Sequence, residues 1–294
     1  MTISSVISQT PSNGIVWIGI VAIVAGMSLG SRGAAEGATP GEQSIRLVVR
    51  ADDMGVAHAA NEACIRSYRE GIVRSVEVIV PGQWFLEAAR MLNDNPQLDV
   101  GVHLTLTSEW EVCKWRPITA GKGLVDADGY FQPTTARFLE GKPKIEEVEA
   151  ELRAQIELAR KHIKNVSHVS LHMGTPAATP ELRALSQKLA GEYKLIFEAP
   201  PGARGLRVGW NGRMTPDEKE QSLVAALAKL PGGLWLFIEH PGADVPEMRA
   251  MGHKGYENVA ADREGVTRAF TSEKVRKILL ERKITLMSYA EASQ

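Results

Sequence analysis

The sequence predicts an α/β fold built on a parallel sheet, an irregular (β/α) barrel being favoured over an open doubly wound sheet. Three observations carry this. Apolar, β-branched runs alternate with segments of helical spacing; six such runs follow one another after Ile45; and no GxGxxG or Walker pattern follows the first run, which weighs against a nucleotide-binding open sheet.

In chain order the strand-like runs are IRLVVR, SVEVIV, LDVGVH, SHVSLH, LWLFIEH and KITLMS. Each is short and rich in branched aliphatic residues, as a strand buried in a parallel sheet requires. Between them, apolar residues at helical spacing predict helices over 57–70, 84–92, 145–163, 180–189, 216–230 and 272–281. Residues 114–141, with DADGYFQP inside them, read as a long excursion between two units, and long loops in compact domains are often functional. The 294 residues suffice for one large domain or two small ones, and with 44% hydrophobic side chains a sizeable core can be buried. Lys plus Arg number 34 against 35 Asp plus Glu, so there is no global attraction for nucleic acid or anionic lipid. The two cysteines, Cys64 and Cys113, form no CxxC pair and imply no disulfide framework.

The N-terminus differs in character. Residues 15–29, IVWIGIVAIVAGMSL, are apolar and uncharged, short for a membrane span and the right length for the core of an export signal. Cleavage after Ala35 fits the small-x-small rule, although no Lys or Arg precedes the apolar run. The expected organisation is a signal peptide or N-terminal anchor over 1–35, a linker over 36–44 and one domain over 45–294. The expected location is periplasmic or extracellular, with membrane contact only through that N-terminal segment.

Chemistry-bearing residues sit where the predicted strands end. The first run ends in Asp52-Asp53, DVGVH in His103, SHVSLH in His172 and LWLFIEH in His240. In a parallel barrel the C-terminal strand ends form one rim, and active sites lie there. An Asp pair alone is a turn or a helix cap, and a lone strand-end His is a capped or solvated one. Together they are harder to dismiss, because one carboxylate and two histidines make a common divalent-metal site with positions left for water and substrate. His168 and His172 are four residues apart, but 166–171 alternates as a strand. At a rise of about 3.3 Å per residue their Cα atoms lie about 13 Å apart, too far to share one ion. His172 is the better ligand, and His168 is structural or supports the site from behind. Trp110 and Trp115 are either core or stacking platforms for a sugar ring. His58 either faces the rim or solvent, His162 lies on a basic helix end, and His253, in a glycine-rich loop, has no assignable role.

Taken together, ADDMGVAHAANEACIRSYREGIVRSVEVIVPG, VGVHLTLTSEW, SHVSLHMGTP, HPG and the late DREGVTRAF resemble, in order, the landmarks of the YdjC-like (ChbG/HpnK-type) carbohydrate deacetylases. The resemblance runs from about residue 46 to 289. It implies a distorted (β/α) TIM-like barrel similar to polysaccharide deacetylases, and hydrolysis of the acetamido group of an N-acetylated saccharide. It further implies one divalent ion, magnesium or zinc, held by Asp53, His103 and His172, with Asp52 as base and His240 completing the site; the leaving amine needs a proton, and an imidazole is suited to give it. Trp110, Trp115 and Arg263 of DREGVTRAF are the candidates for substrate contact. One departure stands out: the family often has Asp two residues before the third ligand, and this chain has Ser170.

The implied chemistry explains an adjacent Asp pair, since one carboxylate holds a metal while its neighbour takes a proton from water, and the cation relieves their repulsion. Two other readings compete. A metal phosphoesterase would want more carboxylates on the rim, and an exported carbohydrate-binding protein without catalysis would have no use for Asp52 and His240. N-terminal sequencing of natively produced protein is expected to find residues 1–35 removed, or retained in a membrane fraction. A soluble cytoplasmic product that keeps Met1 overturns that expectation.

Overall fold

Eight strands form the sheet: β1 (Ile45–Met54), β2 (Ser75–Val78), β3 (Asp99–Leu104), β4 (Val166–Leu171), β5 (Ile196–Phe197), β6 (Arg204–Gly205), β7 (Gly233–Glu239) and β8 (Thr285–Met287). The computed structural model describes residues 44–294, so the expected export segment and nearly all of the linker lie outside the described residues. Every strand pairing is parallel, in the order β5-β4-β3-β2-β1-β7-β6, with β8 also on β1. β1 is the hub. It pairs with β7 over Ile45–Ala51, with β8 over Arg46–Val48, and with β2 from Arg50 onward. β5 and β6 end the pairing path, so among the described residues the barrel is open at that seam. This is a distorted (β/α) barrel, as expected.

The helices of the six expected segments form at His58–Arg69, Phe85–Asn93, Ile145–His162, Pro180–Glu192, Pro216–Ala228 and Glu273–Glu281. Strands β5 and β6 are two residues each and were not expected. Neither was the helix Val259–Thr271, which has consequences for the site. The 114–141 excursion folds on itself through a bridge between Val125 and Phe131 and the helix Thr135–Glu140. None of the helices among the described residues is long and apolar enough to cross a membrane.

Period-two alternation sorts the strands into two faces. Leu47, Val49 and Ala51 of β1, Val76 and Val78 of β2, Val100 and Val102 of β3 and Val169 of β4 join the core beneath the helices. The opposite parity fills the barrel. At its lower end Val48, Leu234, Leu236 and Tyr289 make a small apolar cluster. Above it the filling is charged. Arg50 lies 3.5 Å from the Glu77 carboxylate and 2.7 Å from the Tyr289 hydroxyl, and His168 Nε2 lies 3.0 Å from Glu77. The His168 ring stacks on Tyr289 with centroids 4.0 Å apart. His168 is therefore a buried structural residue of the barrel interior.

Gly101 of β3 makes room for this arrangement. A Cβ there would overlap the Glu77 carboxylate and the His168 ring. Burial works against the charge of Glu77, but His168 and Arg50 outweigh it and hold its carboxyl down at about 2 against an ordinary 4.5. A depressed carboxylate contributes stability above its unfolded pKa and loses it as pH falls through the folded value. Glu77→Gln is expected to destabilise the protein by about 3–5 kcal/mol at neutral pH, since it leaves buried charges without their partner. Denaturant titrations should show the gap to wild type narrowing as pH drops from 4.5 towards about 2. A gap independent of pH would sink this account.

Candidate active site

A break in strand register builds the centre of the site. Pairing between β1 and β2 slips between Ala51 and Met54, and Asp53 adopts a left-handed conformation with φ 69°. Asp tolerates that region better than most residues with a Cβ. The irregularity turns Asp53 toward the side that Asp52 already faces, so two consecutive side chains serve one pocket where a regular strand would send them to opposite faces.

Both carboxylates are buried, and each has its own guanidinium. Arg50 Nε and Nη2 donate to Asp52 Oδ1 and Oδ2, each at 2.7 Å, a bidentate pair. Arg263, 210 residues along the chain on the helix Val259–Thr271, donates from Nη2 to Asp53 Oδ2 at 2.6 Å. Burial opposes the charge on Asp53, but Arg263 and the imidazoles of His240, His172 and His103 hold its carboxyl well below the usual range.

Asp53 Oδ1 is left buried without a hydrogen-bond partner. His172 Nδ1 lies 3.6 Å from it and His103 Nε2 lies 3.7 Å from it. One donor atom each from Asp53, His103 and His172 falls within 4.8 Å of the others. Donors bonded at about 2.0–2.1 Å to a tetrahedral ion sit about 3.3 Å apart, so this trio is nearly at ligand spacing before any contraction. An orphaned carboxylate oxygen facing two imidazole nitrogens fits a divalent cation, and no donor among the described residues satisfies that oxygen.

The other ring nitrogens have partners. His103 Nδ1 lies 2.5 Å from Ser170 Oγ across the paired strands β3 and β4. His172 Nε2 lies 2.9 Å from Glu109 Oε2. Burial pushes His103 down to about 4 despite the pull of Asp52. Burial would lower His172 as well, but Glu109 and Asp53 more than offset it and raise its pKa. His172 follows β4 directly and opens a short 3-10 turn in which Met173 (φ 53°) and Gly174 (φ 69°) are both left-handed.

These residues line a cavity of about 550 Å³ together with His240, which follows β7 and is half-buried. A second cavity of about 610 Å³ adjoins it, sharing Glu109, Trp110, Met173 and His253. Among the cavity residues that were not anticipated are the charged and aromatic Arg50, Glu109, Glu239, Tyr256 and Asp262, and His253, which had no assignable role, lines it too. His253 stacks on Trp110 with centroids 5.8 Å apart. Its loop position carried no signal, whereas Glu109 stands six residues after His103 in the run VGVHLTLTSEW.

The three candidates for substrate contact separate. Trp110 does border both cavities, although little of it is exposed. Trp115 is a wall residue: its indole donates to Thr107 O at 3.0 Å and its ring edges onto His172, away from the cavity surface. Arg263 lines the first cavity but is only 4% exposed; one nitrogen is spent on Asp53, and Nε and Nη1 are buried without a hydrogen-bond partner. His58 lies on the surface beside Glu87, 3.0 Å away, outside the site.

A parallel barrel with one Asp and two His converging at its C-terminal rim, and a second carboxylate beside them, is the layout of a metal-dependent hydrolase. The chain belongs to the YdjC-like protein family, whose model matches residues 46–281. It is similar to a carbohydrate deacetylase of Thermus thermophilus, 33% identical over 226 residues that span 70% of this chain and 80% of that one. A carbohydrate deacetylase of Brevibacillus brevis is 33% identical over 162 residues, 53% of this chain and 60% of its own length. In fold it is similar to a proposed cellobiose-phosphate cleavage protein of Enterococcus faecalis V583, with TM-score 0.72 and 24% identity over 85% of this chain and 100% of that chain.

Alanine at Asp53, His103 or His172 is expected to abolish stoichiometric binding of a divalent ion, measured by equilibrium dialysis with elemental analysis. His168→Ala should keep the ion and lose stability. Metal loss in His168→Ala at unchanged fold, with retention in His172→Ala, would reverse the assignment.

Proposed function

We propose that this protein is a metal-dependent carbohydrate deacetylase that removes the acetyl group from an N-acetylated sugar. The observation that carries the reading is the orphaned Asp53 Oδ1 facing His103 Nε2 and His172 Nδ1, with Asp52 clamped beside them. The carbohydrate deacetylases of Thermus and Brevibacillus supply the substrate class. A ligand set of two imidazoles and one carboxylate suits zinc better than magnesium, which prefers an all-oxygen shell. Export through residues 1–35 remains part of this proposal on the strength of the sequence alone.

When bound, a divalent ion supplies Lewis-acid chemistry, polarising the amide carbonyl and acidifying water. The chain's own residues do the rest. Arg50 holds both oxygens of Asp52, so the carboxylate cannot rotate away from the attacking water whose proton it takes. Arg263 fixes Asp53 and leaves only Oδ1 for the metal. His240, just past the end of β7 and lining the same cavity, delivers a proton to the departing nitrogen. Met173, exposed where the two cavities adjoin, gives the sugar's apolar face a partner, with the edge of the largely buried Trp110 behind it.

Asp52→Asn is expected to keep the metal and to lower turnover by roughly 10²–10⁴-fold, the range for loss of one general base. His240→Ala should also keep the metal and lose turnover, with partial recovery on an acetamide that has an activated leaving group. Acetate release from plain and activated substrates, alongside metal content, separates the two roles. Equal recovery of both variants would falsify the division of labour. A wild-type protein that releases no acetate from any N-acetylated saccharide defeats the reading itself.

A further inference from the structure

We propose that Glu109 is a positioning residue for the metal centre: its carboxylate holds His172 in the tautomer and ring orientation that present Nδ1 to the ion. The inference rests on the metal-centre reading above and goes beyond it to a residue outside the ligand set. Glu109 does not meet the reacting atoms through this contact; it acts through His172.

The two ligand histidines use opposite nitrogens. His103 turns Nε2 toward Asp53 and His172 turns Nδ1 toward it. A neutral imidazole carries one N–H, and only the other nitrogen has a lone pair to give. His172 must therefore carry its proton on Nε2, and the partner waiting there is Glu109 Oε2 at 2.9 Å. A carboxylate accepting from the distal N–H of a ligand histidine fixes its tautomer and raises its basicity. His103 has a neutral counterpart, the Ser170 hydroxyl. Among the described residues, Glu109 is the only carboxylate hydrogen-bonded to either ring.

The loop that carries Glu109 is built to hold still. Ser108 N donates to Gln132 O at 2.9 Å and Glu111 N donates to Gly252 O at 3.0 Å, so the backbone is tied on both sides of Glu109. Ser108 Oγ accepts from Trp115 N, and the Trp115 indole donates to Thr107 O. The Trp115 ring then closes against one side of His172, with His103 edge-on at a centroid distance of 5.1 Å. Ring and carboxylate are thus positioned by one pinned segment.

Position 170 shows why this carboxylate matters here. The landmark pattern would put Asp at 170, where this chain has Ser. Its hydroxyl lies 2.5 Å from His103 Nδ1. A carboxylate restored there would face His103 Nδ1, leaving Glu109 the partner of His172 Nε2.

The test combines zinc affinity with direct observation of the ring. Zinc binding is measured by chelator competition for wild type, Glu109→Ala, Glu109→Gln and the double variant Glu109→Ala/Ser170→Asp. Nitrogen-15 NMR of the metal-free protein reads the His172 tautomer. Glu109→Ala should weaken zinc about 10–100-fold, the usual effect of losing such a partner, and leave His172 in mixed tautomers. Glu109→Gln keeps an acceptor oxygen, so it should hold the Nε2–H tautomer and recover part of the affinity. The double variant should still leave His172 in mixed tautomers, whatever a carboxylate beside His103 adds to affinity. Wild-type affinity in Glu109→Ala overturns the proposal, and so does a single Nε2–H tautomer of His172 in Glu109→Ala or in the double variant. If Glu109→Ala does not fold, the wild-type spectrum still decides: a His172 that is not protonated on Nε2 overturns the proposal. A wild-type protein that binds no zinc but shows that tautomer would instead sink the metal-centre reading.

Discussion

Two adjacent carboxylates buried at the end of one strand repel each other, and neither has water to screen the other. The arrangement is tolerable because Arg50 takes Asp52 and Arg263 takes Asp53. Most of what is unusual in this barrel follows from that requirement. Arg50 has to come from the same strand, two residues earlier, and so it occupies the barrel interior where a branched aliphatic side chain would ordinarily pack. Arg263 has to come from outside the sheet, which makes the helix Val259–Thr271 as necessary to the centre as any strand.

A buried guanidinium needs more than one partner, and its needs propagate downward. Arg50 reaches Glu77 and the Tyr289 hydroxyl as well as Asp52. Glu77 then faces His168, whose Nδ1 contacts Ser167, and Ser167 donates to Asp99 at 2.5 Å. Four strands are joined in this way beneath the pocket. The space for it exists because β3 carries no side chain at Gly101. Replacing such a network by hydrocarbon can be neutral for stability, whereas removing one member is costly. Its value here is the fixed direction it gives Asp52.

The strands that deliver chemistry were legible in the sequence because apolar runs ending in Asp or His are local patterns. His103, His172 and His240 stand at or just past strand ends, and the parity of 166–171 separated His172 from His168. What was not legible depends on contacts between distant positions. Nothing near Arg263 indicates that it meets Asp53, 210 residues away. Nothing near Trp115 distinguishes a sugar platform from a wall that donates to Thr107. β5 and β6, two residues each, are too short to show a period. His253 and Tyr256 reach the pocket from a loop without regular spacing. The register slip after Ala51 was also hidden, because both a turn and a bulge favour Asp.

That slip confines the routes by which the centre can change over generations. At φ 69° the backbone at position 53 admits Gly or Asn as readily as Asp, but neither brings a negative charge for Arg263 and the imidazoles to surround. Glu brings the charge on a longer side chain that tolerates the left-handed region less well and would carry its oxygens past the point where His103 and His172 converge. No single substitution meets the conformational and the electrostatic demand together. Position 53 is therefore an isolated point in sequence space, and a lineage that departs from it must first rebuild either the strand or the charges around it.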